Sequence, residues 1–174
     1  MKNGILLLNF GGPWTLKDVK PFLYRLFADP AVLHGVPAPL RQVIAFSIAQ
    51  IKGRTSIKCY ESIGGGSPQL KWTEIQAEGL RKLIQNDEVK IEIGMRNAEP
   101  TIENALRKLK IWGAERLILL PLFPQFSTTT TGTCFEEVKI RSPVLIGRRP
   151  CRRLQGGLTT KITLRFYAAW LTKK

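Results

Sequence analysis

The sequence has few of the residues on which most metal and hydrolytic sites depend. Its 174 residues include a single histidine, His34, and three cysteines, Cys59, Cys134 and Cys151, which lie far apart. Cysteines in that number and at those spacings form neither a disulfide framework nor a CxxC metal knuckle. One histidine without a second base also excludes a hydrolytic triad. We therefore assign no catalytic residue and no metal ligand from composition and spacing.

Long hydrophobic runs are also missing. No apolar run approaches the roughly 18 residues that a membrane helix needs, and the first run, Ile5–Leu8, is too short for a secretory signal. Hydrophobic residues make up 44% and charged residues 23% of the chain, a balance that is typical of a globular domain rather than a disordered chain. With the scattered cysteines, this predicts a protein of the reducing cytoplasm.

Acidic residues are absent from the last fifth of the chain. Residues 139–174 carry ten of the 27 Lys and Arg residues and none of the 13 Asp and Glu residues, which accounts for most of the net charge of +14. A basic tail of this kind is one way to bind nucleic acid, and we regard this as the weaker interpretation. We expect instead that residues 139–174 do not belong to the preceding fold, which spans residues 1–138, and that they are poorly ordered.

What the sequence does contain is an alternation of strand and helix patterns. Apolar runs at Gly4–Phe10 and Arg116–Phe123, and an alternating run at Val89–Met95, predict three strands. Helices are predicted from the N-cap Asp18 to Ala28, over residues 40–51, 69–84 and 101–113, and from a start within residues 124–138. This order predicts an α/β fold with a doubly wound parallel sheet, whose ligands bind at the carboxyl ends of the strands.

Two of these helices are predicted from the spacing of their apolar residues. In the helix over residues 69–84 the repeating apolar positions are Trp72, Ile75, Leu80, Leu83 and Ile84. In the helix over residues 101–113 the stripe consists of Ile102, Leu106, Leu109 and Trp112, and Gly113 is expected to cap its C-terminus.

The stretch YESIGGGSPQLKW, residues 60–72, fits neither the Walker A template nor the dinucleotide-binding fingerprint. Ser67 is a good N-cap and Pro68 suits the first helical position, so a helix is predicted to begin directly after Gly64–Gly66. A helix N-terminus favours an anion, and Arg54 upstream adds a fixed charge with two donors. Two interpretations stay open here: a binding site for a carboxylate or phosphate, and a flexible turn before a helix.

Other polar residues fall in the loops predicted at the ligand edge of the sheet. Arg96 directly follows the strand Val89–Met95 and brings a permanent cation to that edge, although a surface arginine is an equal alternative. The stretch PQFSTTTTGT, residues 124–133, is rich in hydroxyl groups, for which helix capping is the simpler interpretation.

Several stretches together resemble the ferrochelatases, a family of lyases that insert ferrous iron into a porphyrin in haem biosynthesis. The matching stretches are LLLNFGGP, DVKPFLYRLFADP, YESIGGGSPQ, GMRN and ERLILLPLFPQFSTTTTGT, and they are distributed over residues 4–137. Members of that family are close to twice this length and fold as two similar α/β halves that hold the porphyrin. The resemblance implies that this chain corresponds to the first, chelatase-like half only.

The resemblance also implies which residues contact the porphyrin. By position they are Phe10, Pro13, Phe22, Leu23, Leu26, Arg54, Ser67, Arg96, Phe123 and Ser127. Among them, Ser67 and Arg54 are expected to meet a propionate carboxylate. The apolar helix Phe22–Phe27 corresponds to a lip that lies against the macrocycle.

In the family a histidine in a Ser-Ala-His motif and a glutamate remove protons and bind the metal, and both belong to the half that this chain does not resemble. His34, in LHGVP, lacks that context. We therefore expect a truncated, inactive member that retains part of the porphyrin cleft, with porphyrin and ferrous iron as family substrates and no permanently bound cofactor. Other partners that the resemblance allows are the missing half and a membrane surface. A non-catalytic porphyrin- or anion-binding half-domain is the alternative, and a change of reading frame would explain residues 139–174.

Overall fold

The computed structural model describes residues 1–145 and 151–153. Its strands are β1 (Asn3–Asn9), β2 (Val89–Met95), β3 (Arg116–Pro121) and β4 (Cys151–Arg153), which form a parallel sheet in the order β2-β1-β3-β4. Its α-helices are α1 (Val19–Ala28), α2 (Ala38–Ser62), α3 (Gln69–Ile84), α4 (Ile102–Trp112) and α5 (Thr133–Leu145). The predicted α/β class with a parallel sheet is confirmed. None of the described helices has the length and apolar character needed to cross a bilayer.

The chain divides into two compact units. Among the described residues, the sheet unit consists of Met1–Phe10, 72–145 and 151–153, and it holds the strands with α4 and α5. The helical unit is Gly11–Lys71, which holds α1 and α2. Helix α3 begins in the helical unit and continues into the sheet unit.

Strand β1 is the centre of the sheet unit because its side chains are buried on both faces. Ile5, Leu6, Leu7 and Leu8 are each at most 1% exposed. The chain leaves β1 for β2 on one side and later places β3 on the other side. This makes the carboxyl end of β1 a topological switch point, the position at which open parallel sheets bind their ligands.

Helix α4 shows how closely the local sequence determines an element. Its N-cap Thr101 accepts a hydrogen bond from the Asn104 N–H through Oγ1 (3.2 Å), and Gly113 ends it in a left-handed conformation with a φ of 86°. The predicted stripe is confirmed, since Ile102, Leu106 and Leu109 are buried within the core under the sheet. Gly113 is confirmed as the C-terminal cap.

Helix α1 has the predicted bounds, although the side chain of its N-cap is used differently. Asp18 occupies the N-cap position, but its carboxylate accepts hydrogen bonds from the N–H (3.0 Å) and Oγ1 (2.8 Å) of Thr15. These bonds close a short 3₁₀ turn, Leu16–Asp18, which leads directly into α1. Pro21 therefore lies in the first turn of α1, where its missing N–H costs nothing.

Helix α2 is longer than its sequence pattern predicts, because the helix continues from Ile51 to Ser62. Its buried positions are the small residues Ala45, Ala49 and Gly53, spaced four apart. A Cβ added at Gly53 would lie 2.8 Å from Cγ of Lys20 in α1, so the two helices of this unit approach closely. Because α2 buries small residues and exposes large apolar ones, it lacks the apolar stripe by which a surface helix is usually predicted.

Helix α3 has the predicted bounds, but the apolar residues that predicted it are not all buried. Of the apolar residues expected on it, Trp72, Ile75 and Leu83 are exposed by 59%, 50% and 55%. Leu80 and Ile84 are buried instead. Helical spacing predicts the helix but does not show which of its apolar residues are buried.

Part of residues 139–174, which we call the basic segment, belongs to the described fold. Helix α5 runs from Thr133 to Leu145, so the predicted boundary at residue 138 falls inside a helix, and β4 pairs with β3 through Leu117–Leu119. Residues 146–150 and 154–174, on which the expectation of poor order mainly falls, lie outside the described residues.

Candidate functional site

The carboxyl ends of the strands in the sheet unit are tied together by backbone hydrogen bonds. The Arg96 N–H donates to the Asn9 carbonyl (3.0 Å) and the Asn97 N–H donates to the Phe10 carbonyl (2.9 Å). On the other side of β1, the Leu122 N–H donates to the Leu8 carbonyl (2.9 Å). The predicted residues Phe10 and Arg96 are thus neighbours at one sheet edge.

Phe123 and Ser127 follow β3 at the same edge, with different surroundings. Phe123 is half-buried and packs against the core. The Ser127 hydroxyl accepts a hydrogen bond from the Thr129 N–H (3.3 Å) and lies 2.9 Å from Oγ1 of Thr129. Ser127 is the N-cap of a π-helical turn, Thr128–Gly132, that precedes α5. Ser127 therefore caps a helical turn, as the simpler interpretation of the hydroxyl-rich loop predicts.

The side chain of Arg96 is held beside a carboxylate. Its Nη1 lies 3.5 Å from Oε2 of Glu137 in α5, and the side chains are 21% and 19% exposed. An ion pair that is largely withdrawn from water is screened less by salt than an exposed one. Arg96 therefore stays close to the sheet edge instead of extending into solvent.

In the helical unit, the first two glycines of the glycine junction, which we define as Gly64–Ser67, terminate α2. The Gly65 N–H donates to the Tyr60 carbonyl (2.8 Å) and the Gly64 N–H to the Glu61 carbonyl (3.2 Å). Gly64 has a φ of 103°. This pair of bonds is a Schellman motif, which needs a residue that tolerates the left-handed conformation. These two N–H groups therefore close a helix and do not point toward a ligand.

Gly66 is required for a different reason, which is close packing. A Cβ at Gly66 would lie 2.1 Å from the carbonyl oxygen of Trp14, and one at Gly12 would lie 2.6 Å from Cβ and Oγ of Ser67. The Ser67 N–H donates to the Pro13 carbonyl (2.7 Å). The two glycine motifs of the sequence, GGP and GGGSP, thus pack against each other within the helical unit.

This packing fixes Ser67 at the start of α3. Its Oγ accepts a hydrogen bond from the Gln69 N–H (3.3 Å), as an N-cap residue does. An oxygen that accepts in this way keeps its own hydrogen for donation to a ligand. The junction therefore presents one hydroxyl donor at a helix N-terminus, where the partial positive charge favours an anion.

Arg54 is exposed and lies within α2, eight residues before the helix ends at Ser62. At 1.5 Å per residue this is about 12 Å along the helix axis. Among the described residues no hydrogen bond or ion pair joins Arg54 to the glycine junction. The pairing of Arg54 with Ser67 at one carboxylate stays a prediction.

The predicted lip helix is divided between buried and accessible residues. Phe22 and Leu23 are each 9% exposed, whereas Leu26 is half-buried. Pro13 is buried, and its carbonyl is bonded to Ser67. Leu26 is the more accessible of the three apolar residues expected on this helix.

His34 lies exposed in the connector between α1 and α2. Within residues 1–145 and 151–153, no three or more His, Cys, Asp or Glu side chains are grouped so that they would hold a metal ion.

Comparisons with known proteins identify the family. A model described as Ferrochelatase matches residues 2–146. Ferrochelatases from Gloeobacter violaceus, Aquifex aeolicus and Rickettsia bellii are 42%, 43% and 47% identical over 147, 137 and 133 residues, which cover 82%, 79% and 74% of this chain. The chain belongs to the ferrochelatase family.

The same comparisons define how much of a ferrochelatase is represented. The aligned part covers 45%, 43% and 37% of those three relatives, so the chain spans less than half the length of the curated relatives it matches. The ferrochelatase model also extends past residue 138 to residue 146, close to the end of α5 at Leu145.

Sequence reasoning missed several residues that organise the ferrochelatase-like sheet edge. Asn9 ends β1 in a buried position, donates to Oγ1 of Thr73 (3.0 Å) and accepts from the Phe10 N–H (2.9 Å). A polar residue that directly follows a fully apolar strand was the available signal. Glu137, the partner of Arg96, has no such signal, because a glutamate within a helix pattern is equally compatible with a solvated face.

Proposed function

We propose that this chain is a porphyrin-binding part of a ferrochelatase and acts in haem biosynthesis in the cytoplasm. The observation that carries the proposal is the position of Ser67, which is fixed at the N-terminus of α3 by the Pro13 carbonyl and the Gln69 N–H. A hydroxyl donor at a helix N-terminus suits a propionate carboxylate, which is how a porphyrin presents its negative charge. Family membership supports porphyrin as the ligand.

For the sheet unit by itself, a second set of porphyrin contacts is proposed. Arg96 supplies a permanent cation at the sheet edge, and Phe10 and Phe123 lie partly exposed at the ends of β1 and β3 along the same edge. A porphyrin is a flat apolar ring with carboxylate arms, and both kinds of group suit it.

Binding is tested by titrating the chain into a dicarboxylate porphyrin and following its main absorption band. We expect Ser67→Ala to weaken binding about tenfold, the size of one hydrogen bond to a charged group. The control is Ser62→Ala, which removes an exposed hydroxyl that donates to the Cys59 carbonyl at the other side of the glycines. The same porphyrin with esterified carboxylates should bind the wild type at least as weakly as the acid binds Ser67→Ala, because the ester also loses the charge that attracts Arg96. Equal binding of acid and ester by the wild type would end the carboxylate proposal.

Metal insertion by these 174 residues alone is not part of the proposed function. Removing two pyrrole protons needs a base that faces the ring, and the single histidine is exposed in a connector of the helical unit. We expect the purified chain, given ferrous iron and porphyrin, to form metalloporphyrin no faster than a protein-free sample. The porphyrin titration run on the same preparation is the control for folding, and clear turnover would show that a base among these residues has been overlooked.

A nucleic-acid function receives no support from the described part of the basic segment. Arg141, one of its arginines, is bonded to Glu103 and Glu137 within the sheet unit. A guanidinium held by two carboxylates is poorly suited to a phosphate.

A further inference from the structure

A row of alternating charges crosses the sheet unit next to the sheet edge. Arg96 pairs with Glu137, Glu137 with Arg141, Arg141 with Glu103, and Glu103 with Arg107. The row joins the loop after β2 to α5 and α4. We call these five residues the charge row.

Glu137 is the member of the charge row that contacts Arg96. Its Oε2 lies 3.5 Å from Nη1 of Arg96, while its Oε1 accepts a hydrogen bond from Nε of Arg141. The carboxylate is thus engaged from both sides and is 19% exposed. A carboxylate bound through both oxygens has a defined orientation, and so does the guanidinium beside it.

Arg141 fixes Glu137 in turn. Its Nη1 donates to Oε2 of Glu103 on α4, and Oε1 of Glu103 also accepts from Nη2 of Arg107 (2.6 Å). The hydrogen bond to Glu137 raises the pKa of the Arg141 guanidinium, and the hydrogen bond from Arg107 lowers the pKa of the Glu103 carboxyl. Both shifts favour the charged forms of Arg141 and Glu103, which supports the ion pair between these two side chains.

The backbone of Arg96 is also fixed, since its N–H donates to the Asn9 carbonyl at the end of β1 (3.0 Å). A guanidinium on a flexible side chain loses rotamer freedom when it binds an anion, and that loss is smaller if the side chain is already oriented. An ion pair with a partner on α5 orients it before any ligand arrives.

We propose that Glu137 is a positioning residue, which holds the Arg96 guanidinium at the ligand edge of the sheet, and that Arg141 keeps Glu137 in place by linking it to α4. The functional part of this inference rests on the proposed function, in which Arg96 contacts the porphyrin. It extends that function to Arg141, a residue of the basic segment.

The first test follows the Nε–Hε signal of Arg96 by NMR in the full chain without ligand, assigned with Arg96→Lys. We expect Glu137→Gln to lower the order parameter of this signal clearly and Arg141→Ala to lower it less. The matched control is Glu136→Gln on the same helix, which removes an exposed carboxylate paired with Lys139 (3.7 Å) and should leave the Arg96 signal unchanged. An Arg96 signal equally ordered in Glu137→Gln and wild type overturns the positioning role.

The second test is the porphyrin titration with the same variants at physiological salt. Glu137→Gln should weaken binding about threefold, the size of a partly exposed ion pair, and Arg141→Lys, which keeps the charge, should recover most of the affinity lost in Arg141→Ala. Thermal unfolding of each variant shows whether it is folded. If Glu137→Gln does not fold, Glu137→Asp replaces it in both tests. Unchanged affinity despite a mobile Arg96 overturns the functional part. If the wild type binds no porphyrin, the proposed function fails, while the NMR result still decides whether Glu137 positions Arg96.

Discussion

Gly66→Ala is expected to weaken porphyrin binding at least tenfold and to destabilise the protein. The added Cβ would lie 2.1 Å from the Trp14 carbonyl oxygen and 2.7 Å from its carbon, both of which are backbone atoms. Backbone cannot rotate away as a long side chain does, so the two glycine motifs must separate. Separation displaces Ser67, because Ser67 is bonded to Pro13 in the same contact. Overpacking of this kind costs roughly 1–3 kcal/mol, and the loss of a fixed donor adds the binding defect.

Gly79→Ala is the matched control, since nothing lies within 4 Å of a Cβ added at this position in α3. The same substitution there should stabilise the protein by about 0.5–1 kcal/mol, because alanine favours the helix. Denaturant unfolding and the porphyrin titration measure both effects. If Gly66→Ala behaves like Gly79→Ala, the close contact between the glycine motifs does not exist in solution.

A double-mutant cycle isolates that contact from other effects. Gly12→Ala should also be destabilising, because its Cβ would lie 2.6 Å from the Ser67 side chain. Ser67→Gly removes that side chain, so the double variant should be more stable than the sum of the two single effects predicts. Strict additivity would show that Gly12 and Ser67 do not touch.

Leu106→Ala is expected to destabilise the protein by about 2–5 kcal/mol, the largest stability effect predicted here. Leu106 is fully buried in α4, among Leu6, Leu8 and Leu119 of the sheet and Phe135 of α5. Removing its branched end leaves a cavity where these elements meet, and close-packed surroundings collapse only in part. Small domains have about 5–15 kcal/mol of stability in total, so this variant loses a large share.

The control lies five residues away on the same helix. Ile111 is 87% exposed, so Ile111→Ala should change the free energy of unfolding by less than about 0.5 kcal/mol. Denaturant unfolding followed by circular dichroism compares the two variants. Similar losses in both would mean that α4 does not pack on the sheet through the face that carries Leu106.

At the glycine junction, the sequence predicts the helix and its cap correctly, but the role of the glycines follows only from the structure. The sequence predicts a helix that begins after three glycines with Ser67 as its cap, and the structure has that helix. The sequence left two interpretations of the glycines open, an anion site and a flexible turn before a helix. Two of the three glycines instead end α2, and Gly66 and Gly12 allow backbone contact. Neither role has a local signature, because both depend on which segment lies opposite.

The sequence by itself determined the order of β1 to β3 and of the five α-helices, the bounds of α1 and α4, and the parallel α/β class, but not β4. Each of these features depends on neighbouring residues: apolar runs, caps and the conformations of proline and glycine. Only the tertiary structure decided which face of α3 is buried, why Gly12 and Gly66 are required, and that Glu137 and Arg141 hold Arg96. These depend on contacts between residues far apart in the chain, such as Glu103 and Arg141. A local sequence pattern does not indicate such contacts. An apolar or charged residue can lie on the buried or the exposed face of a helix, and the elements that pack against the helix decide which.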